Sequence, residues 1–162
     1  MICGLLSVMT KIAFLACAAA ASTLAQVNIT DDRQGKINVE IDGKPFTVFH
    51  IGQETEKPFL HPLRSASGKI VSRVWPMEEK EGEAKDHPHH KGLWFTHGDV
   101  NGLDFWANEA SQRSPKKGSV VLERVGAAKG GKKSGTIGAT FRVSIPDRPV
   151  ELLSVRNERA RA

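Results

Sequence analysis

The residues best equipped for chemistry lie between Asp86 and Trp106, in the stretch DHPHHKGLWFTHGDVNGLDFW. It holds four of the six histidines, three aspartates and two of the three tryptophans. Three chemistries fit these side chains. Imidazole and carboxylate together suit a divalent ion such as zinc, iron, copper or manganese. His87, His89, His90 and Asp86 are the ligands expected for it. His97-Gly98-Asp99 is also an H-x-D pair, whose alternate side chains project together from an extended strand and could join a further histidine. The second chemistry is carbohydrate binding or modification. Trp94 or Trp106 would give a flat apolar platform, with Asn101 and Asp104 as hydrogen-bonding contacts. His97 would be the general acid or base and Asp99 its orienting partner. The third assignment is packing. Asp86 and Asn101 would make Asx turns, Asp104 would cap a turn, and Phe95, Phe105 and one tryptophan would lie in the core.

The backbone that carries these groups is expected to run strand, turn, strand. Pro88 favours an extended His87. If that extension continues, His87 and His89 face one side and His90 the other. Leu93 to His97 then reads as a buried strand, Asn101-Gly102 as a tight turn, and Leu103 to Trp106 as a return to apolar residues. His50 and His61 stand alone in strand patterns and read as structural.

The flanking chain reads as β structure throughout. Lys36 to Ile51 is a hairpin, with Ile37, Val39 and Ile41 alternating before Asp42-Gly43, and Phe46, Val48 and His50 alternating after it. Pro45 suits a strand start or an edge. Lys57 to Leu63 and Lys69 to Trp75 read as a second pair joined by Ser65 to Gly68, weakened by Pro58 and Pro62. Glu78 to Lys85 reads as a solvated charged loop. Ser119 to Val125 is a short strand, Gly126 to Gly135 a flexible turn, and Thr136 to Ile145 a half-buried strand with period-two alternation. Short strands at regular spacing, without a long amphipathic helix, predict an all-β antiparallel sandwich.

The first 25 residues read as an export signal: Lys11, an apolar run from Ile12 to Ala21, and a small-residue cleavage site before Gln26, with Met9 as an alternative start. The expected location is periplasmic or secreted. The run is short for a membrane span, so none is expected after signal removal. Both cysteines, Cys3 and Cys17, fall in this leader, so the remainder has no disulfide framework and relies on its core. Removing 25 of 162 residues leaves 137, enough for one domain. Loss of Lys11 takes the formal charge from +5 to +4. The excess bases, among them Lys116, Lys129 and Lys133, sit in loops without interleaved aromatics, which argues against nucleic acid as a partner.

Between Gly35 and Asp147 the chain resembles a family of exported bacterial proteins labelled "methane oxygenase PmoA". Its signature is D-H-P-H-H-[RK]-[GS]-L-W-F-x-[HW]-G-D-V-N-G-x-D-F-W, and KPFLHPLRSASGKIVSRVWP matches its lead-in. The label implies a metal-dependent oxygenase. The resemblance implies a soluble β-sandwich, similar to galactose-mutarotase sandwiches, with a small-molecule or carbohydrate ligand. Family domains continue for roughly another hundred residues past the point matching Asp147, within ordinary sandwich size. Residues 148–162 therefore read as an atypical tail, and residues 26–147 as the N-terminal part of an incomplete domain whose product could be non-functional.

Overall fold

The computed structural model describes residues 26–112, 116–144 and 160–161. The expected leader, and the atypical tail apart from residues 160–161, lie outside the described residues. Among the described residues nine strands follow in order: β1 (Gln26–Asp31), β2 (Lys36–Ile41), β3 (Lys44–His50), β4 (Phe59–Leu60), β5 (Leu93–Trp94), β6 (Ser119–Lys129), β7 (Gly131–Lys132), β8 (Ser134–Ser144) and β9 (Ala160–Arg161). All strand pairings are antiparallel. They form a six-stranded sheet, β5-β4-β3-β2-β1-β7, and a second sheet, β6-β8-β9. Among the described residues there is no helix, and so none long and apolar enough to cross a membrane.

The two sheets pack face to face, as the alternation predicted. Ile37, fully buried, and Ile51 meet Phe141 across the interface, with Ile29 and Phe49 on one side and Val120, Leu122, Val125, Ile137 and Ala139 on the other. Phe49 and Phe141 meet edge to face at 6.2 Å, a favourable arrangement for two ring quadrupoles. The all-β sandwich assignment is correct.

The hairpin forms where expected, with Asp42 (φ 53°) and Gly43 (φ 71°) both left-handed in the two-residue turn. Its return strand differs in phase. Val39 pairs with Thr47 and Glu40 with Pro45, so Phe46 is an inserted bulge residue. The bulge places Thr47, Phe49 and Ile51 on the core side, where an unbroken ladder would have put Phe46 and Val48. His50 thus joins the opposite face and stacks flat on Phe59 at 4.5 Å.

Three further expectations are corrected. Lys69 to Trp75 is not a strand: only Ile70 bridges, to Arg64. The Val74 and Trp75 N–H groups donate instead to the Glu83 carboxylate. Those bonds hold the Glu83 pKa below its ordinary value, so one acid of the charged loop is a structural acceptor. The Gly126–Gly135 turn is mostly strand, because β6 runs to Lys129 and β7 pairs with β1 through Val27 and Gly131. Finally, β1 itself, with Val27 buried, was not expected.

Candidate metal centre

The DHPHH loop is folded by a β-turn rather than extended. The His90 N–H donates to the His87 carbonyl at 3.0 Å, and Lys91 N–H to His89 at 3.1 Å. Pro88 thus occupies the second position of the turn, where its fixed φ is already correct. The expected split of His90 from the other two is overturned, because the turn gathers all three rings. His87 stacks on His90 at 4.7 Å, and His89 stands edge-on to both, at 5.4 and 4.4 Å. Each imidazole offers a nitrogen within 4.8 Å of the other two, close enough for one ion to be shared among them. Gly92 (φ 70°) closes the loop against β4, where any Cβ would collide with the Leu60 carbonyl.

Each ring has its own surroundings. His87 is exposed and its Nε2 lies 3.2 Å from Asp86 Oδ2. A carboxylate only accepts, so this nitrogen carries the proton and Nδ1 remains. Arg73 pairs with the other oxygen of Asp86 at 3.0 Å and, as the main cause, lowers the Asp86 pKa. His89 is only 7% exposed, and its Nδ1 lies 2.8 Å from the Gln112 side-chain amide. Burial first, then neighbouring positive groups, pushes the pKa of His89 and of His90 down. Both rings are therefore neutral near pH 7 and have a lone pair to give, which fits a metal ligand.

Two tryptophans wall the cluster. Trp94 stacks on His90 at 5.0 Å, and Trp106 meets Trp94 at 5.4 Å and His90 edge-on at 6.1 Å. Trp106 is 40% exposed, whereas the Trp94 Nε1–H is buried and has no acceptor among the described residues.

The remaining expected site residues do not join the three-histidine group. His97 and Asp99 are exposed, and their polar atoms serve the local turn. Asp99 N–H donates to His97 Nδ1 at 3.2 Å, and Asp99 Oδ1 accepts from Gly102 N at 2.7 Å. Asn101 (φ 55°) and Gly102 (φ 79°) form the tight turn itself. Asp104 Oδ1 accepts from Trp106 and Ala107 N–H, so it holds Trp106 in place from beneath. Phe105 is core as expected, but Phe95 is 73% exposed and Leu93 also faces outward. The expected buried strand there shrinks to β5, whose outer edge is unpaired in the sheet.

Sequence reasoning missed the polar network below the loop. Lys57 is fully buried and donates to Glu109 Oε1 (3.0 Å), Asn108 Oδ1 (2.6 Å) and the Trp106 carbonyl (3.0 Å). Glu109 also pairs with Lys91 at 2.5 Å, one residue after His90. The one available signal was the NE pair two residues beyond the tryptophan, in a run otherwise free of large apolar residues.

A family model matches residues 36–153, which take in the hairpin, the histidine turn, the buried lysine network and both long strands. The chain belongs to DUF6807, a family of unknown function. No curated protein and no solved structure matches it. In this DUF6807 chain, then, the chemistry has to be read from the geometry of the turn and its walls.

Proposed function

We propose that this DUF6807 protein holds a divalent transition-metal ion on His87, His89 and His90 and acts there on a carbohydrate seated against Trp106. The observation that carries this is the β-turn, which brings three imidazole nitrogens together beside a half-exposed indole. A bound ion would polarise a sugar oxygen or a water molecule. The protein's own groups do the rest. Trp106 offers an apolar ring face, Trp94 backs it and His90, and Asp86 with Arg73 orients His87. The exposed His97 and Asp99 belong to the rim of this surface. An exported location, suggested by the leader, suits such a substrate.

Calorimetric titration of metal-stripped protein with zinc, copper, nickel and manganese tests the metal. One ion per chain is expected, with at least a tenfold loss in His89→Ala. No binding to the folded wild-type chain would end the metal reading. The oxygenase activity implied by the PmoA label requires a redox-active ion, so a site selective for zinc would remove it. A second reading, a metal-independent sugar-binding module, is favoured by the exposure of Trp106. Quenching of tryptophan fluorescence by an oligosaccharide panel separates the two, since binding that survives chelator and is lost in Trp106→Ala supports the module.

A further inference from the structure

We infer that Gln112 is the positioning residue for His89, holding its Nδ1–H so that Nε2 is the nitrogen offered to a ligand. This rests on the metal reading above. Gln112 reaches the ring from a backbone that is pinned at several points. Asn108, buried one turn earlier, donates to the Gly118 carbonyl at 2.8 Å and to Glu56 at 3.3 Å. Glu109 carries Lys57 and Lys91. The Gln112 N–H closes a turn on the Glu109 carbonyl at 2.9 Å, and Lys117 Nζ donates to the carbonyls of both Glu109 and Gln112. The side-chain amide therefore arrives at His89 from a fixed direction.

The Gln112 amide nitrogen stands 2.8 Å from Nδ1, which leaves Nε2 of the ring as the free nitrogen. Nε2 can give a lone pair only when the proton of the neutral ring sits on Nδ1. A half-turn of the amide, whose two ends are interchangeable, brings its buried and otherwise unpartnered Oε1 to face Nδ1 as the acceptor. An acceptor fixed behind a metal-binding imidazole locks its tautomer and orientation, and losing such a partner weakens metal affinity about 10- to 100-fold. Gln112 matches that role from a position 23 residues away in sequence.

The experiment has a metal-free arm and a metal arm. Long-range proton–nitrogen NMR of the metal-free protein is expected to show His89 as the single Nδ1–H tautomer, turning to a mixture in Gln112→Leu. Gln112→Glu, whose carboxylate can only accept, is expected to keep the Nδ1–H form. In zinc titration, Gln112→Leu is expected to bind about 10- to 100-fold more weakly, and Gln112→Glu at least as tightly as wild type. A wild-type His89 protonated at Nε2, or a tautomer unchanged in Gln112→Leu, overturns the inference whether or not metal binds. If wild type binds no metal, the proposed function fails while the NMR arm still decides the role of Gln112. If Gln112→Leu does not fold, wild type and Gln112→Glu compared decide: an acceptor role leaves both as Nδ1–H, whereas a donor role for the amide would show wild type protonated at Nε2 and Gln112→Glu switched to Nδ1–H.

Discussion

Removing either end of the buried Lys57–Glu109 pair should destabilise the fold by unequal amounts. Lys57 is fully buried, and the one carboxylate bonded to it is that of Glu109; its other two partners are neutral oxygens. Glu109 by contrast has a second cation, Lys91, at 2.5 Å. In Glu109→Gln the lysine stays buried without a carboxylate bonded to it, a situation that costs about 3–5 kcal/mol. Burial already pushes the Lys57 ammonium below its ordinary 10.5, against the pull of Glu109. Deprotonation therefore limits the loss, because moving the pKa from 10.5 to 7 costs about 5 kcal/mol at roughly 1.4 per unit. In Lys57→Met the Glu109–Lys91 pair survives, and the loss is two orphaned neutral acceptors, about 2–3 kcal/mol after some gain from the buried methyl group.

Urea unfolding at pH 7 should therefore rank Glu109→Gln as the costlier change, by about 1 kcal/mol or more. The double variant should lose at least about 1 kcal/mol less than the sum of the singles, since no charge is then stranded. The pH dependence supplies a second check. A lysine with a lowered folded pKa makes the folded state more favourable as pH rises from that value toward 10.5, so the Glu109→Gln deficit should shrink in alkaline buffer. A Lys57→Met loss equal to or above that of Glu109→Gln, or strictly additive losses, would refute the reasoning.

Two further changes probe the sheets. Thr47 is buried on the core face with its hydroxyl unpaired, so Thr47→Val should stabilise the protein by about 1 kcal/mol; a lowered unfolding midpoint would count against the phase assigned to β3. His61 is buried with both ring nitrogens unpaired, and desolvation holds its pKa below 6.5. Its contribution is complete above pH 6.5 and is lost as pH falls from there through the lower folded pKa, so His61→Leu should flatten the acid side of the stability profile measured by thermal unfolding.

What was legible in the sequence is what neighbours in the chain decide. The Asp42-Gly43 turn, the β8 alternation and the burial of Phe105 follow from local pattern, and so does the concentration of ligand groups around His87. The orientation of those groups does not. Pro88 is compatible with an extended chain and with a turn, and the choice depends on how Gly92 packs against β4. Phe95 looked like core because apolar runs usually are, but β5 is an edge strand and leaves it outside. The Lys57 network spans 52 residues to Glu109, a separation no periodicity reports. Gln112 and the Glu83 acceptor share that difficulty.

The Phe46 bulge sets a parity for the whole molecule. Residues on either side of an inserted position exchange odd for even, and in β3 that exchange decides which set faces the second sheet. Deleting Phe46 would give an unbroken ladder from the Asp42-Gly43 turn and leave Thr47 opposite Val39 and Phe49 opposite Ile37. The sides would swap only if Phe46 were kept and paired with Val39, which would turn Val48 toward Ile37 and withdraw His50 from its stacking on Phe59. The bulge thus absorbs one extra residue of strand length, four positions before His50, without disturbing the pairing from Thr47 to His50. Removal of Phe46 should therefore leave the core face of β3 in place.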